Sequence, residues 1–297
     1  MLKKVKKWSK VLLLGGLITL CCGCKRDDME DIRVITTNYP NEYIMENLYG
    51  EHATIETIYP DGVNPDTYEL TEKQLQDFSK SDLFVYTGLI DRERELALEL
   101  IDYNSNLKII DSSYVLDNDY DTDELWLDPS FMLMMSQNVR LGLQEYLENT
   151  LLKNEIDDNY ENLKVEISEL DADIRLAVEN APYKTIVAAD NAFRFLEKYG
   201  VTVYLLNDDT SEKDLVTIQD LIESGAITKI FTYEDNEITS NVQNIINQYP
   251  NQVSYQYFEK ITILSDSERE SKLDYLILMN RNLDALREEL YHGTETT

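Results

Sequence analysis

The side chains able to do chemistry in this 297-residue chain are almost all carboxylates. Asp and Glu together number 57, against two histidines, His52 and His292, and three cysteines, Cys21, Cys22 and Cys24. A Ser/His or Cys/His set is the usual mark of nucleophilic catalysis, and a glycine-rich loop that of a phosphate cradle. The chain shows neither set, and no open metal motif with a neighbouring base, so an enzyme is not expected. What carboxylates do well is hold hard cations through oxygen. The densest run lies at residues 117–124, where Asp117, Asp119, Asp121 and Asp123 alternate just before Glu124. That spacing is close to a calcium loop, but Thr122 takes the sixth position, where Gly is needed, and Asp128 takes the twelfth in place of Glu. The run reads as a solvated acidic loop or a weak cation-gathering one.

The cysteines belong to a different device. Lys3, Lys4, Lys6, Lys7 and Lys10 form a basic head, followed by an apolar stretch at residues 11–20 and then Leu20-Cys21-Cys22-Gly23-Cys24. About ten apolar residues are too few for the roughly 20 that cross a bilayer, so the segment reads as a processed signal. Gly23 before Cys24 resembles the lipobox cut by lipoprotein signal peptidase, with Cys21 where that pattern usually has Leu. Residues 1–23 are therefore expected to be removed and Cys24 to carry lipid. The mature chain then has neither a disulfide nor a free thiol and must hold together through its core. Losing the five leader lysines moves the formal net charge from −30 to −35. Such a surface repels nucleic acid and anionic headgroups. With 43% hydrophobic residues in strand and helix periods, disorder does not fit.

Two halves of similar texture must position the carboxylates. Short β-type runs at 32–36, 54–59, 83–86 and 107–110 alternate with helical patterns at 42–49 and 72–79. A second series at 185–189, 201–206, 229–232 and 253–257 alternates with helices near 192–199, 212–223 and 240–249. Strand alternating with helix predicts an α/β fold with parallel sheets covered on both faces. Between the halves, residues 143–181 contain no Gly or Pro. Ile156, Tyr160, Leu163, Ile167, Leu170, Ile174 and Ala177 recur there at steps of four and three, one stripe on a long helix. Asp128-Pro129-Ser130 suits its start and Pro182 its stop. The stripe can pack along both halves of one molecule or form a coiled-coil dimer seam; the first reading makes the chain a monomer.

Local strings in order carry a resemblance. They are Thr37-Asn38-Tyr39-Pro40, the run from Pro60-Asp61-Gly62 to Pro65-Asp66-Thr67-Tyr68-Glu69, Leu125-Trp126-Leu127-Asp128-Pro129, Asp190-Asn191-Ala192-Phe193, and Asp274-Tyr275-Leu276 with Asn282-Leu283. Together they resemble the zinc and manganese solute-binding lipoproteins of ABC uptake transporters, over most of the mature chain. The resemblance implies two lobes of parallel β-sheet flanked by helices and joined by a long backbone α-helix. Their division is a lobe at 24–128, a linking helix at 129–181 and a second lobe at 182–297. It also implies one metal ion between the lobes, delivery to a membrane permease, and a location outside the bacterial cytoplasm on a lipid anchor.

The resemblance further implies the ligands, and here the chain departs from the family. Asp66 stands where the Pro-His-x-Tyr-Glu string has its His. Glu124 takes the second His position, two before Trp126, and Asp190 the third; the fourth, a carboxylate in the family, aligns with Glu259. Imidazole suits zinc, the family default, whereas an all-oxygen set favours a hard divalent cation such as Mn²⁺. Four carboxylates around one divalent ion leave a formal charge of −2 and raise one another's pKa, so the empty site must open or take up protons. The alternative is a degenerate member without tight metal binding, acting as an adhesin-like or accessory surface lipoprotein. Trp126 and Phe193 are expected to pack beside the ligands and Asp128 to cap a helix. His52 and His292 are expected to face solvent.

Overall fold

The structure, a computed structural model, describes residues 29–117, 120–234 and 237–293. Cys24, the expected lipidation position, the expected leader before it and Asp119 lie outside the described residues. In the first half, β1 (Ile32–Thr36), β2 (Ala53–Thr57), β3 (Leu83–Tyr86) and β4 (Lys108–Asp111) form a parallel sheet in the order β2-β1-β3-β4. In the second, β5 (Thr185–Ala188), β6 (Thr202–Leu205), β7 (Lys229–Tyr233) and β8 (Ser254–Phe258) repeat that arrangement as β6-β5-β7-β8. Each sheet reverses strand order beside its first strand, so a crevice opens there past the carboxyl ends of the strands.

Both faces of each sheet are buried, as parallel strands require. Val34 and Val85 point into an inner core while Ile35 and Phe84 point into an outer one, the period of two that places alternate residues on opposite faces. The outer faces are covered in the first half by α2 (Glu72–Phe78) and α3 (Asp91–Tyr103), through Leu75, Leu96 and Leu100. In the second half α6 (Glu212–Glu223) and α7 (Ser240–Gln248) cover them through Ile218, Ile222, Val242 and Ile245. The inner faces share one continuous core, in which α1 (Tyr39–Tyr49), α4 (Pro129–Tyr146), α5 (Thr150–Glu179) and α9 (Tyr275–Leu290) meet.

The long backbone helix is α5, whose predicted stripe is fully inside: Ile156, Leu163 and Ile167 are at most 1% exposed. It lies against α1, α4 and α9, so the seam is filled within the chain. It begins at Thr150, later than the Pro129 start read from sequence, because residues 129–146 form the separate helix α4. The chain breaks where Leu147 turns extended (φ −83, ψ 140) and Asn149 caps α5 by accepting from Leu151 N at 2.9 Å. The pattern near 192–199 also resolves differently. Asn191–Tyr199 winds as a 3-10 helix that buries Ala192, Phe193, Phe195 and Leu196 and stops at left-handed Gly200 (φ 95).

Candidate functional site

The four expected ligands, Asp66, Glu124, Asp190 and Glu259, lie on the segments that follow β2, β4, β5 and β8. The loop after β2 carries Asp66, whose N–H donates to Asn64 Oδ1 at 2.8 Å. Its carboxylate is exposed and paired with Arg92 in the first turn of α3. Glu124 precedes the 3-10 turn Leu125–Leu127 and is largely withdrawn, with its side chain 11% exposed. It accepts from Thr122 Oγ1 at 2.6 Å and lies 3.1 Å from Lys260 Nζ, which comes from the other half. Asp190 follows β5 and caps the 3-10 helix by accepting from Ala192 N at 2.8 Å. Glu259 follows β8 and pairs with Arg281 at 3.2 Å, while Asn282 holds its backbone N–H at 2.7 Å and its carbonyl at 3.0 Å.

Three of these carboxylates border one space. Asp66, Glu124 and Glu259 line a cleft of about 610 Å³ walled by both halves. Asp190 lines an adjoining space of about 460 Å³, and Asp123 and Glu124 form the wall common to both. The four border two adjoining spaces without converging: among the described residues, no three His, Cys, Asp or Glu side chains gather closely enough to hold an ion. The larger cleft is strongly acidic, with seven carboxylates and two bases, Arg92 and Lys260, on its wall. Partial burial and the charge of neighbouring Glu124 raise the pKa of Asp123. Burial likewise raises that of Glu93, which lies beneath the cleft at the start of α3.

The packing residues behave as expected. Trp126 is 1% exposed, and Phe193 stacks on Tyr233 with ring centres 5.2 Å apart. Asp128 caps α4 by accepting from Ser130 N at 2.7 Å. Neither histidine simply faces solvent. His52 is half-buried and lies 2.9 Å from Glu155, because α5 passes over the turn that carries it. His292 stacks on Tyr183 at 4.1 Å and reaches the Gly225 carbonyl, so the end of α9 is tied down.

What the sequence reading missed is the set of basic partners. Arg92, Lys260 and Arg281 come from segments far from the acids they meet. One signal pointed at them: in a chain with only 27 Lys and Arg against 57 acids, a base beside a candidate ligand, as in Glu259-Lys260, is unusual. Lys260 is also carefully placed. Its carbonyl accepts from the Trp126 indole N–H at 2.9 Å, and the next residue, Ile261, has φ +62. A β-branched residue in that left-handed region is a true outlier.

The acidic cleft lies between two parallel sheets, and comparison with known proteins matches that architecture. The sequence profile of the family described as "Zinc-uptake complex component A periplasmic" (ZnuA) matches residues 34–289. The manganese-binding lipoprotein MntA of Halalkalibacterium halodurans is 24% identical over 295 residues, covering 93% of this chain and 96% of its own. The high-affinity zinc uptake system protein ZnuA of Bacillus subtilis is 20% identical over 318 residues, covering 96% and 98%. Among solved structures, the Zn(II)-bound ZnuA-like domain of Streptococcus pneumoniae AdcA superposes with a TM-score of 0.70 at 19% identity, over 88% of this chain and 99% of that one. With most of its length matched in fold and profile, the chain belongs to the ZnuA family of metal-uptake proteins.

Proposed function

We propose that this chain is the extracytoplasmic solute-binding lipoprotein of a metal ABC uptake transporter. It captures a divalent cation between its halves and passes it to a membrane permease, held to the bacterial membrane by lipid on Cys24. Among the described residues no helix is long and apolar enough to cross a membrane. The observation that carries the reading is the acid-walled cleft at the carboxyl ends of both sheets, bordered by Asp66, Glu124 and Glu259 and joined through Glu124 to the space beside Asp190. These four are the proposed ligands. Capture draws them inward, and their oxygen chemistry favours Mn²⁺ over Zn²⁺, the two ions named in the relatives above.

A ligand that binds only the folded state raises its stability. Mature protein freed of metal should therefore melt higher with Mn²⁺ at about 100 µM, a concentration well above a micromolar dissociation constant. Asp66→Ala combined with Asp190→Ala should abolish the shift. One observation favours a second reading, a degenerate member serving as an adhesin-like or accessory lipoprotein: Asp66, Glu124 and Glu259 already face an internal cation. Absence of a shift with Mn²⁺, Zn²⁺, Fe²⁺, Ca²⁺ and Mg²⁺ alike would select it.

A further inference from the structure

The pair formed by Lys260 and Glu124 differs from an ordinary surface ion pair. Its two side chains are only 22% and 11% exposed, it joins the two halves, and its oxygen and nitrogen are 3.1 Å apart. The backbone around Lys260 is fixed on three sides. Asn282 clamps Glu259 through both peptide groups, the Trp126 indole holds the Lys260 carbonyl, and Tyr39 N donates to the Thr262 carbonyl at 2.8 Å. Ile261 takes up the strained left-handed turn between these anchors. Strain of this kind persists only where the surroundings over-determine it, and its effect here is to aim an ammonium group at Glu124, whose side chain is only 11% exposed. The Tyr233 ring, its centre 5.9 Å from Nζ, gives the ammonium a second surface to rest against.

A carboxylate oxygen that faces an ammonium cannot at the same time coordinate a metal ion in the same direction. We propose that Lys260 is a tethered cation that occupies Glu124 until cargo arrives, so that capture is an exchange of the lysine ammonium for a divalent ion. Because the competitor is part of the chain, its local concentration is fixed by geometry and not by the medium. A monovalent ion gains little over the ammonium it replaces, whereas a doubly charged ion gains roughly twice the Coulomb attraction at equal distance. Lys260 thus lowers affinity for every cation and discriminates against monovalent ones. The inference rests on the cation-receptor reading above and adds the residue that sets its affinity.

Calorimetric titration of the metal-free mature protein with MnCl₂ tests it, using wild type, Lys260→Met, Lys260→Gln, Glu124→Gln and the Lys260→Met/Glu124→Gln double variant. Lys260→Met should bind Mn²⁺ about tenfold more tightly or better, a change of about 1.4 kcal/mol. In the Glu124→Gln background the same replacement should give no gain. A Kd unchanged or raised in Lys260→Met, with wild type binding and the variant melting normally in EDTA, overturns the exchange and leaves the receptor reading standing. If Lys260→Met does not fold, Lys260→Gln decides by the same criterion. If no variant binds Mn²⁺, both the exchange and the receptor reading fall.

Discussion

Glu93 is a carboxylate that the cleft lines but does not expose. It is 1% exposed and accepts from Thr87 N at 2.7 Å, from Asn38 Nδ2 at 3.1 Å and from the Thr37 hydroxyl. It therefore ties the ends of β1 and β3 to the first turn of α3, under the loops that present the site. Removing it leaves buried donors without an acceptor, so Glu93→Ala should cost about 2–4 kcal/mol in urea denaturation, and Glu93→Gln about 1.5 kcal/mol or less. Burial raises its folded pKa above the ordinary 4.5, so the folded state holds the proton more tightly than the unfolded one. Its stabilising contribution is complete below pH 4.5 and is lost as pH rises through the folded value. Melting from pH 4 upward should accordingly show wild type losing more stability than Glu93→Gln. At this scale sequence conveyed the positions of Asp66, Glu124, Asp190 and Glu259 through the strings around them. It did not convey Arg92, Lys260 or Arg281 as their partners, because those pairs exist only once the halves and loops are assembled.

At the scale of elements, periodicity was informative and interruptions were not. The stripe on α5 could be read directly, since a step of four and three on a helix admits one buried face. The break before it carries no Gly or Pro. It depends on Asn149 capping and on buried Leu143, Leu147 and Leu152 joining the inner core on either side of the bend. Alignment of α4 on β4 is similarly a matter of packing. Gly142 lies where an added Cβ would stand 2.7 Å from Ile110 Cγ1, closer than real side chains approach. Alanine is intrinsically the better helix former by about 1 kcal/mol. Overpacking should nevertheless win, making Gly142→Ala less stable by about 1–2 kcal/mol in chemical denaturation. The reverse sign would show that α4 can slide on the sheet.

Over the whole molecule, two parallel sheets and the long helix packed along both were legible from the sequence, but not everything that attaches the halves was. Part of the attachment is the shared inner core around α5. The rest is a strap at residues 259–270, which leaves β8 and runs onto the first half. Gly62 N donates to the Leu264 carbonyl at 2.9 Å, and Arg269 in α8 (Asp266–Glu270) grips both oxygens of Glu42 at 2.8 Å and Asp61 at 2.7 Å. The Glu42 side chain is only 5% exposed, so removing its partner strands a charge in the interior. Arg269→Ala should destabilise the protein by about 2–4 kcal/mol, the partly exposed Arg trimming the usual penalty. A Glu42→Gln/Arg269→Ala cycle should recover much of the loss. Hydrogen exchange at residues 259–270 should rise in the same variant.

One further consequence comes from the indole that holds the Lys260 carbonyl. The chain has two tryptophans, Trp8 and Trp126, and the first lies in the segment proposed above as a removable leader. In a chain processed as proposed, every photon of tryptophan emission originates from a single buried ring on the cleft wall, with the chain's 20 tyrosines feeding excitation toward it. Its hydrogen-bonding partner is the backbone of the residue that faces Glu124, and the Tyr275 hydroxyl touches its own carbonyl at 2.7 Å. A protein so processed carries its own optical probe, covalently placed at the contact between its halves and legible without a label.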